Sequence, residues 1–460
     1  MAVARGEDGT VRRSANEPGE RAGGGSVTDI RAERAERAGD AGGEHAAVSD
    51  VRDAEHGRVS DLPADVPADE HGAARAPAGR RRGAVVRVLV LLTVLTALFF
   101  LPWWVLLASG AGWPVPVVVG GGVVCGAAEL AFPVAMVLGH GRRQLDGAAR
   151  TADTTLGVIW VLFAWSAIGG VLRLLLAAAG AGGQGTARAV SLAVLAVAAA
   201  LLTWGYVEAM RVPRVRRVDV TIPRLGPGLD GTRVVVLADT HYGPVDRARW
   251  SARVADAVNA LEPDIVCHAG DIADGTIAAR REQVAPLGTV RARLARVYVT
   301  GNHEYHGEAQ GWLDLMTGLG WEALHNRHLT VERGGDRLVL AGVDDRTAAS
   351  SGLTGHSADH DTALAGADPG LPVLLVAHQP KQVAQAVASG IDLQVSGHTH
   401  GGQMWPFHYL VRLDQPVVQG LSRHGDRTQL YTSRGAGYWG PPFRIFAPSE
   451  ISLLVLRSPA

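Results

Sequence analysis

The sequence predicts a layered α/β domain preceded by an all-α bundle of about four transmembrane helices and a disordered N-terminal tail. Three observations lead there. Polarity is segregated along the chain, with a polar first stretch, an apolar middle and a mixed remainder. The apolar middle divides into runs each about long enough to cross a hydrocarbon core as helix. The mixed remainder alternates short β-rich runs with amphipathic segments, the pattern of a sheet covered by helices.

At 460 residues the chain exceeds the usual size of one domain, so more than one structural unit is expected. A formal net charge of -1 exerts no overall pull toward nucleic acid, and none is expected as a partner. The cysteines are Cys125 and Cys267 alone, which excludes a disulfide framework and thiolate zinc sites. Each reads as a small buried hydrophobe.

Residues 1–80 are rich in Arg, Ala, Gly, Asp and Glu, with almost no aromatic residues and no sustained apolar period. Such a stretch cannot bury enough surface to fold and is expected to be disordered. The transmembrane helical region comes next, over 85–210, with spans near 85–107, 115–138, 155–179 and 188–209. Pro102, Pro114, Pro116 and Pro133 interrupt the first pair, and Trp103, Trp104 and Trp113 cluster near their turn, where amphipathic rings favour an interface. Arg80, Arg81, Arg82 and Arg87 precede the first span. Arg142, Arg143 and Arg150 separate the second from the third, and Arg211, Arg214, Arg216 and Arg217 come after the fourth. The connections 108–114 and 180–187 carry no Lys or Arg. By the positive-inside rule the tail and the C-terminal domain of this multi-pass cell-membrane protein face the cytoplasm, with membrane lipids as neighbours. Glu129 and Arg173 lie within spans but differ in depth by roughly 13 Å, so they are expected to anchor separately, Arg173 by snorkelling outward.

The folded domain is expected over 217–460. Arg233–Ala238, Asp264–His268, Arg296–Thr300, Leu338–Val343, Val373–Ala377 and Leu393–Ser396 read as buried strands, with amphipathic segments such as Trp250–Leu261 and Gln382–Ala388 between them. The chemistry-bearing residues cluster at the carboxyl ends of these strands. Asp239-Thr-His241, Gly270-Asp271-Ile-Ala-Asp274, Gly301-Asn302-His303-Glu304, His378 and Gly397-His398-Thr399-His400 each end a strand. In layered sheets, sites gather outside such ends. Residues two apart in extended backbone project to one side, so Asp239 with His241, and His398 with His400, can converge. Glycines 270, 301 and 397 permit close backbone approach. Oxygen and nitrogen donors without thiolate suit Mn, Fe or Zn ions. His268, His306, His325 and His408 read as ordinary structural histidines.

The ordered set of these pieces resembles the calcineurin-like metallophosphoesterase superfamily over about 217–456. Leu237-Ala-Asp-Thr-His-Tyr-Gly243, Gly397-His-Thr-His-Gly-Gly-Gln403 and Ser433-Arg-Gly-Ala-Gly437 with Pro448-Ser-Glu-Ile451 resemble its membrane-associated branch, the transmembrane metallophosphoesterase-domain proteins. The resemblance implies a four-layer α/β/β/α sandwich holding two divalent metal ions. One ion would be bound by Asp239, His241, Asp271 and His400, the second by Asp271, Asn302, His378 and His398, with Asp271 bridging. A water shared by the pair would yield the attacking hydroxide. His303 would protonate the leaving oxygen or steady the phosphoryl group, and Asp274 would hold its tautomer. Phosphoprotein phosphatases carry arginine after the second aspartate of this motif. Here Gly275 stands there, which disfavours a phosphoprotein substrate, and Arg346 or Arg434 would have to take that role.

The function expected is therefore that of a membrane-anchored dinuclear-metal phosphohydrolase, with a phosphomonoester, a phosphodiester or a lipid-linked pyrophosphate as substrate. Its main competitor is a membrane sensor or scaffold built on a non-catalytic form of the same fold. Retention of all seven ligands with His303 disfavours that reading. A transporter, with about four spans and few intramembrane charges, comes third. No feature of the sequence specifies an oligomeric state.

Overall fold

A computed structural model describes residues 78–459 of the chain. The tail expected over 1–80 lies, up to residue 77, outside the described residues. Four long helices come first: α1 (Ala78–Trp103), α2 (Val115–His140), α3 (Asp146–Ala178) and α4 (Gln184–Met210). Each is long and apolar enough to cross a membrane. Pro102 lies inside α1, and the helix widens into a π-helical turn over Trp104–Ala108 just after it. The rings near this turn tie helices together: Trp103 Nε1 donates to the Val118 carbonyl at 3.0 Å and Trp113 Nε1 to that of Leu106 at 2.9 Å.

The two intramembrane charges have separate partners. Glu129 accepts from Thr96 Oγ1 at 2.7 Å. Arg173 reaches the end of the first span and caps the π-helical turn there, donating to the Val105 carbonyl at 2.6 Å and to Ser109 Oγ at 3.1 Å. Orphan carbonyls at a helix end are acceptors that suit a guanidinium. Helix α3 also starts well before the apolar run expected from 155, at Asp146. Its first turns carry polar residues that hydropathy excludes but that have partners: Asp153 lies 2.9 Å from His140 Nε2, and Asp146 accepts from Arg280 at 3.0 Å.

The remainder forms two six-stranded sheets. Its elements are β1 (Arg214–Thr221), β2 (Arg233–Leu237), α5 (Ala248–Asn259), β3 (Ile265–His268), α6 (Ile277–Val284), β4 (Ala295–Tyr298), α7 (Ala309–Gly318) and β5 (Glu322–Ala323). Then come β6 (Arg327–Arg333), β7 (Asp336–Gly342), α8 (His360–Leu364), β8 (Val373–Val376), α9 (Val383–Ala388), β9 (Leu393–Ser396), α10 (His408–Asp414), β10 (Gly420–His424), β11 (Thr428–Thr432) and β12 (Glu450–Arg457). One sheet has the order β1-β12-β2-β3-β4-β5 and the other β10-β11-β9-β8-β7-β6. Strands β2, β3, β4 and β5 run parallel, as do β7, β8, β9 and β11.

The two-residue period of the strands builds the layers. Val234, Val236, Ile265 and Cys267 meet Leu340, Leu374, Val376 and Val395 in a core between the sheets. Burial pushes the Cys267 thiol up to about 12, in keeping with a packing role. On the outer face of the first sheet, Val235, Leu237 and Val266 pack with Trp250 and Val254 of α5 and Trp312 and Met316 of α7. On the outer face of the second, Val339, Ala341 and Leu375 pack with Ala363 of α8 and Ala386 of α9. The order is helix, sheet, sheet, helix, the four-layer sandwich expected.

Sandwich and helices share a further core. Met404, Phe443 and Ile445 pack with Val161 of α3 and Ala198 of α4. The contact is close because glycine occupies the helix surface. A Cβ on Gly157 would lie 2.7 Å from Phe443 Cε2, and one on Gly205 would lie 2.7 Å from Ile445 Cγ1. The Arg444 N–H also donates to the Gly205 carbonyl at 2.9 Å. Gly157→Leu is therefore expected to lower the thermal unfolding midpoint of the full chain in detergent, at a cost of about 1–3 kcal/mol. Gly147→Leu, with open space at its Cβ, is the control. Equal behaviour of the two variants would contradict this packing.

Candidate metal centre

All nine residues singled out in the sequence meet at one end of the sandwich. Asp239 and His241 come after β2, Asp271 and Asp274 after β3, and Asn302 and His303 after β4. His378 comes after β8, while His398 and His400 come after β9. The parallel strands of both sheets thus deliver loops to a shared edge.

The local backbone differs from the extended geometry expected. Asp239, His241, Asp271, His398 and His400 adopt φ of 53°, 41°, 54°, 72° and 52°. Non-glycine residues rarely occupy this left-handed region, and each costs about 1–3 kcal/mol. The Asp239/His241 and His398/His400 pairs converge because both members turn off the strand. Glycine provides the room: Gly270, itself at φ 87°, could not carry a Cβ, which would fall 2.6 Å from Gly301 N and 2.8 Å from His378 Nδ1.

Two donor groups result, each with ligand atoms within 4.8 Å of one another: Asp239, His241 and His400, and Asp271, His378 and His398. In the first, His241 Nε2 lies 3.1 Å from His400 Nε2, and Asp239 Oδ1 lies 3.8 Å from that same nitrogen. In the second, His378 Nε2 is 3.1 Å from Asp271 Oδ2, and Asn302 Oδ1 is 3.2 Å from His378 Nε2 and 2.9 Å from His398 Nδ1. Asp271 Oδ2 also lies 3.5 Å from His241 Nε2, so this carboxylate faces both groups.

Divalent cations fit this arrangement. Asp239 and Asp271 are buried, and the ion pairs that reach them among the described residues come from histidines alone. Asp239 Oδ2 is buried with no hydrogen-bond partner. Burial pushes the Asp239 carboxyl up, as expected of a carboxylate without a cation. Burial, reinforced by Arg444 and His241, holds His400 well below the usual imidazole range, and burial beside His378 lowers His398 to about 3. Both rings are then neutral, the form that ligates metal.

Asp274 works on two rings at once. Its Oδ1 accepts from His303 Nδ1 at 2.7 Å and lies 3.0 Å from His241 Nδ1. Burial opposes charge on Asp274, but His241 and His303 outweigh it and hold its carboxyl well below the ordinary range. Burial likewise opposes charge on His303, yet Asp271 and Asp274 push it up to about 9. The Asp274 carbonyl accepts from Arg280 Nε at 2.8 Å, and Arg280 in turn donates to Asp146 of α3 at 3.0 Å.

Three supporting residues had no role assigned from sequence. Glu304, quoted there only as the end of a motif, accepts from the N–H groups of Asp271 at 3.0 Å and Ile272 at 2.7 Å and from Gly301, lacing the loops after β3 and β4. Arg444 is fully buried with no carboxylate hydrogen-bonded to it among the described residues; it donates to the carbonyls of His400 and Arg434 at 2.8 Å and lies 3.1 Å from His400 Nδ1. Trp439 meets His303 edge-on, with ring centroids 5.7 Å apart. His306, read as structural, lines the cavity above the centre, and its ring centroid lies 5.0 Å from that of His303. Neither Arg346 nor Arg434 lines that cavity; Arg434 donates to Glu450 at 2.7 Å.

Residues 232–402 match the calcineurin-like phosphoesterase family. A transmembrane protein with metallophosphoesterase domain from Danio rerio is 39% identical over 269 residues, 57% of this chain and 62% of that protein. Its namesake from Bos taurus is 37% identical over 278 residues, 58% of this chain and 62% of that protein. An uncharacterized metallophosphoesterase from Helicobacter pylori is 36% identical over 253 residues, 55% and 66% of the two chains. The matches thus span less than two thirds of these relatives. The family match falls on the strands that deliver the two donor groups, so residues 232–402 form a calcineurin-like phosphoesterase region, and the Danio rerio and Bos taurus relatives make the chain similar to the membrane-associated branch of those proteins.

Proposed function

We propose that the chain is a membrane-anchored, dinuclear-metal phosphohydrolase. The observation that carries this reading is Asp271 facing two donor groups while His303 and Asp274 stand beside them. Asp239, His241, Asp271 and His400 would hold one ion, and Asp271, Asn302, His378 and His398 the other. Their oxygen and nitrogen donors suit Mn, Fe or Zn. Bound there, two cations would neutralise phosphoryl charge and lower the pKa of water. His303 would donate its ring proton to the leaving oxygen of the phosphoester, whether monoester, diester or lipid-linked pyrophosphate. Asp274 keeps that proton available by holding Nδ1, which leaves Nε2 to face the substrate. The chain's parts would be a tail (1–80), an anchor (85–210) and a metallophosphoesterase domain (217–460), with tail and domain on the cytoplasmic side.

Three measurements test this reading. Purified full-length protein loaded with Mn²⁺ is expected to hydrolyse aryl phosphate mono- or diesters. Asp271→Asn should abolish turnover, and His303→Gln should reduce it about 10²- to 10⁴-fold. The His303→Gln loss should be greater for alkyl than for aryl leaving groups, because the poorer leaving group needs the proton. Equal losses for the two would remove His303 from the acid role, and no turnover by any metal-loaded form would favour a scaffold.

In metal-free protein, NMR titration of the His303 ring is expected to give a midpoint near 9, so the ring is charged at neutral pH and loses its proton only as pH rises through that value. Asp274→Asn should lower the midpoint. A wild-type midpoint at or below the ordinary imidazole value of about 6.5 would contradict the pairing. For orientation, a reporter active only in the periplasm, fused after residue 460, should be silent; activity there would reverse the assignment.

A further inference from the structure

The cavity above the candidate metal centre, about 430 Å³ in volume, runs from the site residues onto a transmembrane helix. Leu156 and Trp160 of α3 form one wall. Phe407, Leu410 and Val411, at the start of α10 and within it, form another, and Trp439 stands over His303. Phe407 meets Trp160 edge-on with ring centroids 5.7 Å apart. One cavity therefore has imidazole and carboxylate at its base and hydrocarbon on its sides.

The apolar walls lie at the level of the spans. Trp405, just before α10, packs on Trp165 of α3 at 5.9 Å, and Met404 and Phe443 pack with Val161 and Ala198. By helical rise, Val161 is about 22 Å along α3 from Asp146, and Ala198 about 18 Å back from the end of α4. Helix α10 itself has no buried residue; Leu413 is 84% exposed, Tyr409 56% and Leu410 49%. Such a face suits an interfacial segment whose solvent is lipid.

The charge pattern narrows the ligand. Among the described residues no Lys or Arg lines the cavity, and its Asp414 is engaged by Lys381. A nucleotide or polyphosphate would find no cation there beyond the centre itself. A sugar phosphate would leave its hydroxyls unpaired against Leu156, Phe407 and Leu410. A phosphoester carrying a hydrocarbon chain matches both halves.

We propose that the substrate is a membrane lipid phosphoester, its phosphate at the candidate metal centre and its acyl or prenyl chain in the cleft between α3 and α10, taken up without leaving the leaflet. The inference rests on the phosphohydrolase reading above. One water adds across the P–O bond: its oxygen joins phosphorus, and the leaving oxygen takes a proton. The lipid alcohol stays in the bilayer, and phosphate departs to water. Each methylene kept out of water is worth about fourfold in partitioning, so chain length should be felt in turnover.

The test uses the full chain in phosphatidylcholine nanodiscs with Mn²⁺. Phosphatidic acid and geranylgeranyl phosphate separate acyl from prenyl sources, each beside a short-chain analogue, with an aryl phosphate as soluble reference. At least one long-chain probe is expected to exceed its short-chain analogue in kcat/KM by about tenfold or more, the worth of two buried methylenes. Leu410→Glu should cut the ratio of long-chain to aryl phosphate turnover by a similar factor. Independently of activity, diazirine-tailed phosphatidic acid or geranylgeranyl phosphate should photolabel Leu156, Trp160 or Leu410 in metal-free protein, with competition by the parent lipid but not by glycerol phosphate. Turnover of aryl phosphate with no chain-length effect, or labelling confined to the outer faces of α1 and α2, would overturn this inference and leave the hydrolase reading standing. Cleft labelling with no turnover of any probe, aryl phosphate included, would overturn the hydrolase reading and the substrate claim with it, leaving a cleft that only binds lipid.

Discussion

Two carboxylates, Asp239 and Asp271, are buried where, among the described residues, only histidines form ion pairs with them. Burying such charges without full compensation is expensive, and Asp239 Oδ2 is left with no hydrogen-bond partner among the described residues. Much of the local architecture arises from arranging these groups for cations. Five of the candidate ligands accept left-handed backbone, glycine replaces side chains where loops cross, and Glu304 and Arg444 hold the surrounding backbone polar groups. The sandwich converts this local strain into a fixed constellation because each loop is tied to the end of a buried parallel strand.

The same site is bound mechanically to the transmembrane helices. Asp146 of α3 holds Arg280, Arg280 holds the Asp274 carbonyl, and the Asp274 carboxylate orients His241 and His303. On the other side, the 443–445 segment seats on Gly157 and Gly205, while Arg444, between its two apolar neighbours, fixes the His400 loop. The helices thus brace the centre as well as carrying it, and α3 also contributes a wall of the cavity.

Much of this was legible in the sequence because the chemistry is local. Buried strands announce themselves by short β-rich runs, and each candidate ligand follows one, so residue type and position marked Asp239, His241, Asp271, Asn302, His378, His398 and His400 as one candidate set, which the fold brings together. Partners distant in sequence were not legible. Nothing near Arg444 says that it will be buried beside His400, and nothing near Asp146 announces Arg280. The start of α3 was missed because hydropathy discounts acidic residues whose partners are not yet visible, and the partners of Arg173 were not legible because the carbonyls of the π-helical turn belong to another helix. His306 looked structural because its cavity is made by α3 and α10, far away in the chain.

The central claim is that the two donor groups hold two ions and share Asp271. The most direct measurement is metal content per chain by mass spectrometry after equilibration with Mn²⁺ or Zn²⁺ and removal of excess metal. The account predicts two ions in the wild-type protein, with both sites weakened in Asp271→Asn because that single carboxylate faces both groups. One ion or none in the wild type, or full retention by Asp271→Asn, would contradict it.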